Sequence, residues 1–326
     1  MPWSDYFERF LEKDRLATGK LINILENGDD PQARREILRA CARQNREAYI
    51  VGVTGVPGAG KSTLIDQLGC WLLDRGQTVG VVCVDPSSPF RGGAILGDRI
   101  RFVNLSKRKG CFIRSMATRG HLGGLGAATA DVVRLLEAGG YDVVIVETVG
   151  IGQTEVEIVG TADTVVLVTV PGLGDQIQIS KAGIMEIGDI FVVNQSDRPG
   201  AEETAQSLRN DLAMFCTSSW LPPVIQTIAP SREGVDELGE ALLARKAHLI
   251  QEGTKAELQR KRRLQSWDNL MMETFTSLLK DFCENHPYGK ELKKRVEKGD
   301  LDIYEASSKV WQEVMKSFFD YDVRVS

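Results

Sequence analysis

The sequence has no stretch that approaches the roughly 18 uninterrupted apolar residues of a membrane helix. Its longest apolar runs, around Val143–Val146 and Val165–Val170, are strand-sized. The N-terminal MPWSDYFERFLEKDR has no basic region followed by an apolar one, so no signal peptide is expected. Positive charge is not in excess: 40 Lys and Arg stand against 45 Asp and Glu, a net charge of −5. That balance argues against a nucleic-acid partner, which asks for a basic footprint. Histidine is scarce. His121, His248 and His286 lie far apart, and no His/Cys pair has metal-ligand spacing. The six cysteines (Cys41, Cys70, Cys83, Cys111, Cys216, Cys283) form no CxxC, so they read as reduced thiols of a cytoplasmic protein. The 32 Gly and 11 Pro show no short period and no internal repeat, which excludes a collagen-like or low-complexity chain. With 42% hydrophobic residues the chain carries enough apolar surface to offset the entropy of ordering, which excludes a disordered one.

What is present begins with helix. In residues 1–46 apolar positions fall at Phe7, Phe10 and Leu11, then at Leu21, Ile24 and Leu25, the spacing of a helical face. Asp30 followed by Pro31 predicts a helix restart, with the carboxylate accepting free amides and the proline fitting the first turn. From Ala48 the texture changes to short β-branched runs between helical stretches. The predicted strands are Tyr49–Thr54, Thr78–Val84, Cys111–Arg114, Tyr141–Glu147, Thr164–Val170, Ile190–Asn194 and Pro223–Thr227. Several are almost uniformly apolar, as strands buried on both faces of a parallel sheet must be. Sheet and helices are expected to end near Ile250. Residues 251–326 read as helix again, with an apolar stripe at Leu264, Trp267, Met271, Phe275, Leu278 and Phe282. His286-Pro287-Tyr288-Gly289 breaks it, and a further helical pattern follows from Glu291 through Phe319.

The strongest chemical signal is Gly55-Val56-Pro57-Gly58-Ala59-Gly60-Lys61-Ser62-Thr63, a full G-x-x-x-x-G-K-[ST] between a predicted strand and a predicted helix, Leu64–Leu73. Its glycines let backbone amides curl around phosphates. Lys61 is placed to reach the β- and γ-phosphates, and the Ser62 hydroxyl to bind Mg²⁺. A chance glycine-rich turn would lack the flanking strand and helix. Two acids close later strands: Asp85 after Gly80–Val84 and Glu147 after Val143–Val146. Strand ends in open α/β sheets face the ligand, so both carboxylates are candidates for Mg²⁺ or its waters. An isolated acid in such a place is often only a helix cap. Gly150 stands where its amide would meet a γ-phosphate. Asn194-Gln195-Ser196-Asp197 ends another strand and is similar to the Asn-Lys-x-Asp element that reads guanine, with Gln195 in place of lysine. An aspartate there accepts from the ring N–H and the exocyclic amine, a pair of donors that adenine does not offer.

Taken together, these motifs resemble the MeaB/ArgK family of G-proteins, chaperones of adenosylcobalamin-dependent acyl-CoA mutases, over nearly the whole chain. The resemblance rests on the P-loop and on Asp85-Pro86-Ser87-Ser88, Arg91–Asp98, Arg119–Gly124, Glu147–Gln153 and Pro171–Asp175. Asp14 onward is similar to the family's N-terminal helices. It implies an α/β P-loop GTPase fold with a mostly parallel sheet between helices, at 47–250, an N-terminal helical extension at 1–46, and a C-terminal helical dimerisation arm at 251–326. It implies that Gly55–Thr63 and Gly150 bind GTP, that Asn194 and Asp197 read guanine, and that Ile228, Ala229 and Pro230 back the base through main-chain amides. Ser62, Asp85, Asp98 and Glu147 would surround Mg²⁺. Asp85–Asp98 and Glu147–Glu155 would be the first two switches. Pro171–Gly183, carrying Asp175 and Lys181, would be the third, which couples the nucleotide to the mutase. Lys181-Ala182 stands where a Lys-Lys pair is common, and Ile228 where a small polar residue is usual.

The expected activity is hydrolysis of GTP to GDP and phosphate by in-line attack of water, with Lys61, the loop amides and Mg²⁺ stabilising the developing charge. Glu147 and Gln153 are the polar candidates for placing the water. No arginine finger is legible, so slow intrinsic turnover with acceleration by a partner is expected. Two other functions compete for the same residues. A nickel-delivery GTPase calls for His-rich or paired-Cys ligands, which are missing. Asp197 argues against an ATP-dependent kinase. Arg260-Lys261-Arg262-Arg263 is expected to be a solvated helix face, His121 a loop contact, and the aromatic stripe a homodimer interface in preference to an internal core.

Overall fold

The structure is a computed structural model. It describes residues 2–27, 30–85, 101–117, 127–148, 162–172, 187–215 and 219–322. These divide into two compact units, Met1–Arg262 and Arg263–Ser326.

The first unit is built on seven strands: β1 (Tyr49–Gly55), β2 (Val79–Asp85), β3 (Cys111–Ala117), β4 (Val143–Thr148), β5 (Thr164–Thr169), β6 (Ile190–Asn194) and β7 (Val224–Thr227). Their order in the sheet is β3-β2-β4-β1-β5-β6-β7, and every described pairing is parallel. The strand that leads into the P-loop is therefore interior, with β4 on one side and β5 on the other. Side chains alternate between two apolar faces. Val51, Val53, Ile145, Val166 and Val168 pack with Leu64, Ile65, Leu68 and Trp71 of α4 (Lys61–Asp74) and with Leu238 and Leu242 of α7 (Val235–Gln251). Ile50, Val144, Val146 and Val165 point the other way, into Phe10, Leu21, Ile22 and Ile37 of α1 (Trp3–Leu11), α2 (Arg15–Asn27) and α3 (Pro31–Arg43), and into Val132, Leu135 and Leu136 of α5 (Ala127–Ala138). A smaller cluster joins Leu167, Phe191 and Val193 to Ala205, Leu208 and Leu212 of α6 (Ala201–Phe215). This two-sided burial is why the strands read as unbroken apolar runs.

Local chemistry sets the helix ends. Asp30 caps α3 as its sequence predicts, accepting from the amides of Gln32 and Ala33 at 3.1 and 2.9 Å, with Pro31 in the first turn. Asp14 does the same for α2, accepting from Leu16 and Ala17. Arg15 then donates to the Cys111 carbonyl at 3.1 Å, tying α2 to the start of β3.

The basic run at 260–263 departs from a uniformly solvated face. Arg260, Lys261 and Arg263 are exposed, but Arg262 turns inward and donates to Asp163 at 2.8 Å. Asp163 is fully buried and also accepts from the Ile50 amide. A buried carboxylate needs such a cation, and the run of like charges concealed which residue supplies it.

In the second unit α8 (Thr254–Asn285) continues from the first, and α9 (Pro287–Glu297) and α10 (Ile303–Asp322) follow. The break at His286 falls where the sequence places it. The single pattern expected from Glu291 to Phe319 is two helices, separated by the turn at 298–302. Leu292, Leu301 and Ala306 bury against Tyr288, Val296 and Val310. Of the aromatic stripe, Phe275 meets Trp311 at 5.4 Å between ring centroids, while Leu264, Trp267, Met271 and Leu278 remain exposed on the single chain.

Candidate nucleotide site

The loop between β1 and α4 is shaped by close backbone approach. Gly55 has φ of +135°, and a Cβ there would fall 1.9 Å from the Val168 carbonyl oxygen of β5. Gly60, at φ +78°, caps α4 with no side chain, and its Cβ would fall 2.7 Å from the Asn194 amide nitrogen. Glycine is required at both. The first amides of α4 are thereby left facing outward with the positive end of the helix dipole, an anion site.

Lys61 is buried, and its ammonium donates to the Gly55 and Val56 carbonyls at 2.7 and 3.0 Å. The charge of the site is thus held within the loop itself. One residue on, the Ser62 hydroxyl donates to Glu147 Oε1 at 2.6 Å. Glu147 is almost wholly buried near the end of β4, in register with Val53 of β1. The sequence expectation that a strand-end acid faces the loop is met by direct contact. Two hard oxygen donors this close suit Mg²⁺, which prefers oxygen ligands and keeps several waters. The pair already attracts a cation: Arg101 donates to Ser62 Oγ at 2.6 Å and lies 3.3 and 3.4 Å from the two Glu147 oxygens. Sequence reading missed Arg101. The available signal was its place three residues after Asp98, directly before an apolar pair, Phe102-Val103.

The other candidates divide plainly. Asp85 ends β2, opposite Ala117 of β3, but its side chain is outside the described residues. Asp98, Gly150, Gln153, Asp175 and Lys181 also lie outside the described residues, as does His121. Among the described residues no group of three or more His, Cys, Asp or Glu side chains could hold a metal ion.

The loop after β6 is brought onto the P-loop. Asn194 is buried; its Nδ2 donates to the Ala59 carbonyl at 2.7 Å, and its Oδ1 accepts from Thr227 Oγ1 at 2.9 Å and the Ala229 amide at 3.2 Å. Its amide therefore fastens three segments of the site. Gln195 sits at φ +59° and donates through Nε2 to the Gly58 carbonyl at 3.1 Å. Asp197 is exposed beyond it. Ile228 enters a short 3-10 turn, Ala229–Ser231, closed by an Ile228 amide to Glu233 carbonyl bond at 3.0 Å; Pro230 is exposed there. The P-loop, the Asn194 loop and the Ala229 turn meet at one end of the parallel sheet, the arrangement a nucleotide site requires.

The family model described as methylmalonyl Co-A mutase-associated GTPase MeaB matches residues 18–286. A relative from Pyrococcus abyssi, named as a GTPase, is 45% identical over 95% of this chain and 96% of its own length. The GTPase ArgK of Escherichia coli is 37% identical over 73% of this chain and 72% of that protein. A crystal structure titled as a LAO/AO transport system kinase superposes with a TM-score of 0.67 at 25% identity, covering 96% of this chain and 97% of the other. The chain belongs to the MeaB family of P-loop GTPases.

Proposed function

We propose that this GTPase depends on Mg²⁺ and serves an adenosylcobalamin-dependent acyl-CoA mutase as a chaperone, coupling GTP binding and hydrolysis to cofactor loading and protection. The observation that carries the reading is the Ser62–Glu147 contact, which joins the first turn of α4 to the neighbouring strand and builds a cation-seeking pair beside the P-loop. The mutase assignment is supported by the family description, which names that association.

In this reading the residues act as follows. The amides of Gly55, Val56, Gly58, Ala59, Gly60, Lys61, Ser62 and Thr63, with Gly150, surround the phosphates, and Pro57 shapes the loop. Lys61 exchanges the Gly55 and Val56 carbonyls for phosphate oxygens. Asp197 selects guanine, Asn194 holds its loop in place, and Ile228–Pro230 back the base. Ser62, Asp85, Asp98 and Glu147 would hold Mg²⁺, which when bound neutralises the charge that develops on the phosphate oxygens. Glu147 and Gln153 orient the attacking water. Asp175 and Lys181 carry the nucleotide state to the mutase. The exposed stripe Leu264, Trp267, Met271 and Leu278 supports a homodimer through the C-terminal helices. No helix among the described residues is long and apolar enough to cross a membrane. Cys41, Cys70, Cys83, Cys111 and Cys283 are free thiols, which fits a reducing cytoplasm.

The test is turnover of GTP and ATP with and without Mg²⁺, for wild type, Lys61→Ala and Lys181→Ala, each with and without a cognate mutase. GTP turnover that requires Mg²⁺, falls at least about a hundredfold in Lys61→Ala and rises with the mutase supports the reading. Lys181→Ala is expected to keep basal turnover and lose the rise. Preference for ATP, or indifference to the mutase, overturns it.

A further inference from the structure

We propose that Arg101 is a positioning residue of the nucleotide site, an internal counter-cation that competes with the divalent metal for the same two oxygens. The inference rests on the metal-dependent reading above and adds a residue to it. Glu147 is a carboxylate taken almost entirely out of water, which is unfavourable unless a cation accompanies it. Arg101 is that cation, 3.3 Å from Oε1. The same guanidinium NH donates to Ser62 Oγ at 2.6 Å, so the hydroxyl has its proton on Glu147 and a lone pair taken by Arg101.

A metal ligated by that hydroxyl would share the oxygen with Arg101, which already takes one of its two lone pairs. It would also sit within a few ångströms of a guanidinium, and two cations so close inside a protein repel strongly. The two therefore exclude one another: metal binding displaces Arg101 from Ser62, and loss of metal lets it return. The displaced guanidinium stays within reach of the site, because the backbone that follows Arg101 is fastened. Phe102, the next residue, is fully buried. Just beyond it the amides of Asn104 and Leu105 donate to Asp66 at 3.1 and 2.8 Å, and the Asn104 side chain adds a third bond at 2.7 Å. Asp66 lies on α4 one turn below Ser62, so the backbone that carries Arg101 is fastened to the helix that carries the hydroxyl. The device keeps Glu147 compensated without metal and raises the metal concentration needed to occupy the site.

The experiment follows release of a fluorescent GDP analogue from the full chain as free Mg²⁺ is varied, in wild type, Arg101→Ala and Arg101→Lys. Melting of each protein without nucleotide and in chelator is followed alongside, also in a Glu147→Gln background. A competitor that holds the site nine-tenths of the time raises the metal midpoint about tenfold, so Arg101→Ala is expected to lower it by about that factor. Arg101→Lys, which keeps the charge but not the fork, is expected to fall between. In chelator, Arg101→Ala should melt below wild type, and Glu147→Gln should remove that difference, because no buried charge is then left unpaired. An unchanged or higher metal midpoint in both Arg101 variants overturns the proposal. So does an Arg101→Ala melting loss that persists in Glu147→Gln, which marks a merely structural contact. If release from wild type ignores Mg²⁺ altogether, the metal-dependent reading itself is overturned, a result distinct from a responsive wild type with equally responsive variants.

Discussion

The Asn194 side-chain nitrogen donates to the Ala59 carbonyl at 2.7 Å, which joins the loop after β6 to the phosphate loop after β1 across β5. The same amide accepts from Thr227 and Ala229, so one buried side chain sets the distance between the P-loop and the turn at Ala229, the proposed phosphate and base halves of the site. Asn194→Ala is expected to lower stability by roughly 3 kcal/mol, because buried partners are left unmade. It should weaken GDP and inorganic pyrophosphate together, since both halves lose their tie. Urea unfolding and calorimetric titration read the two effects, and an affinity change confined to GDP would limit Asn194 to the base.

In the proposed reading Asp197 recognises the base and Gln195 covers it. Asp197→Ala should cost at least about tenfold in GDP affinity, the worth of a hydrogen bond to a charged group. Gln195 already makes the Gly58 tie at 3.1 Å. Gln195→Lys can keep that bond and lay a longer stem along the base, so it should tighten GDP. Equal affinity of Asp197→Ala and wild type would move base recognition elsewhere, and a Gln195→Lys variant that binds no better would remove the stem from the account.

Removing Arg262 leaves Asp163 buried without its cation. Arg262→Ala is expected to destabilise the fold by about 3–5 kcal/mol, the loss seen when one partner of a buried pair is taken away. Adding Asp163→Asn should recover part of it, since the remaining group is then neutral. Denaturant midpoints of the two proteins decide this. No recovery in the double variant would mean that Arg262 contributes packing alone.

Burial raises the Glu137 carboxyl above its ordinary value, opposed by the Arg262 charge and by the Ala48 amide. The folded chain therefore holds this proton more tightly than the unfolded chain. The stability Glu137 contributes is present below the unfolded carboxylate value and lost as pH rises through the raised one. Glu137→Gln should accordingly melt above wild type near pH 8, with a gain that shrinks as pH falls toward about 4. Melting curves across that range check the sign. A constant gain at every pH would assign the effect to packing instead.

Much of the fold was legible because its forces are local. The seven strands were readable as apolar runs, since burial on both faces leaves no polar alternation to confuse them, and the ends of β1 to β5 moved by no more than three residues. Asp30-Pro31 and His286-Pro287 marked helix ends through chemistry confined to neighbouring residues. The helical pattern from Glu291 through Phe319 does not show the turn at 298–302, because the apolar spacing carries no break there. In the site, Lys61 and Ser62 were legible from spacing alone, and Glu147 from its position at a strand end. Arg101 was not, because nothing in its neighbours states that a buried carboxylate 46 residues later needs a cation.

The phosphate loop, the alternation of strands and helices, and the helical segments at either end follow from the order of residues alone. Each of these depends on residues within a few positions of one another. The placement of β1 between β4 and β5 arises in three dimensions, because parallel strands are joined by crossovers and the order of neighbours is set by which helices can cover which face. That order brings Glu147 to Ser62 and Asn194 to Ala59, contacts between residues 85 and 135 positions apart. It also directs Arg262 alone, out of four consecutive basic residues, to Asp163. A charge removed from water must find its partner in space, and position along the chain does not reveal where that partner lies.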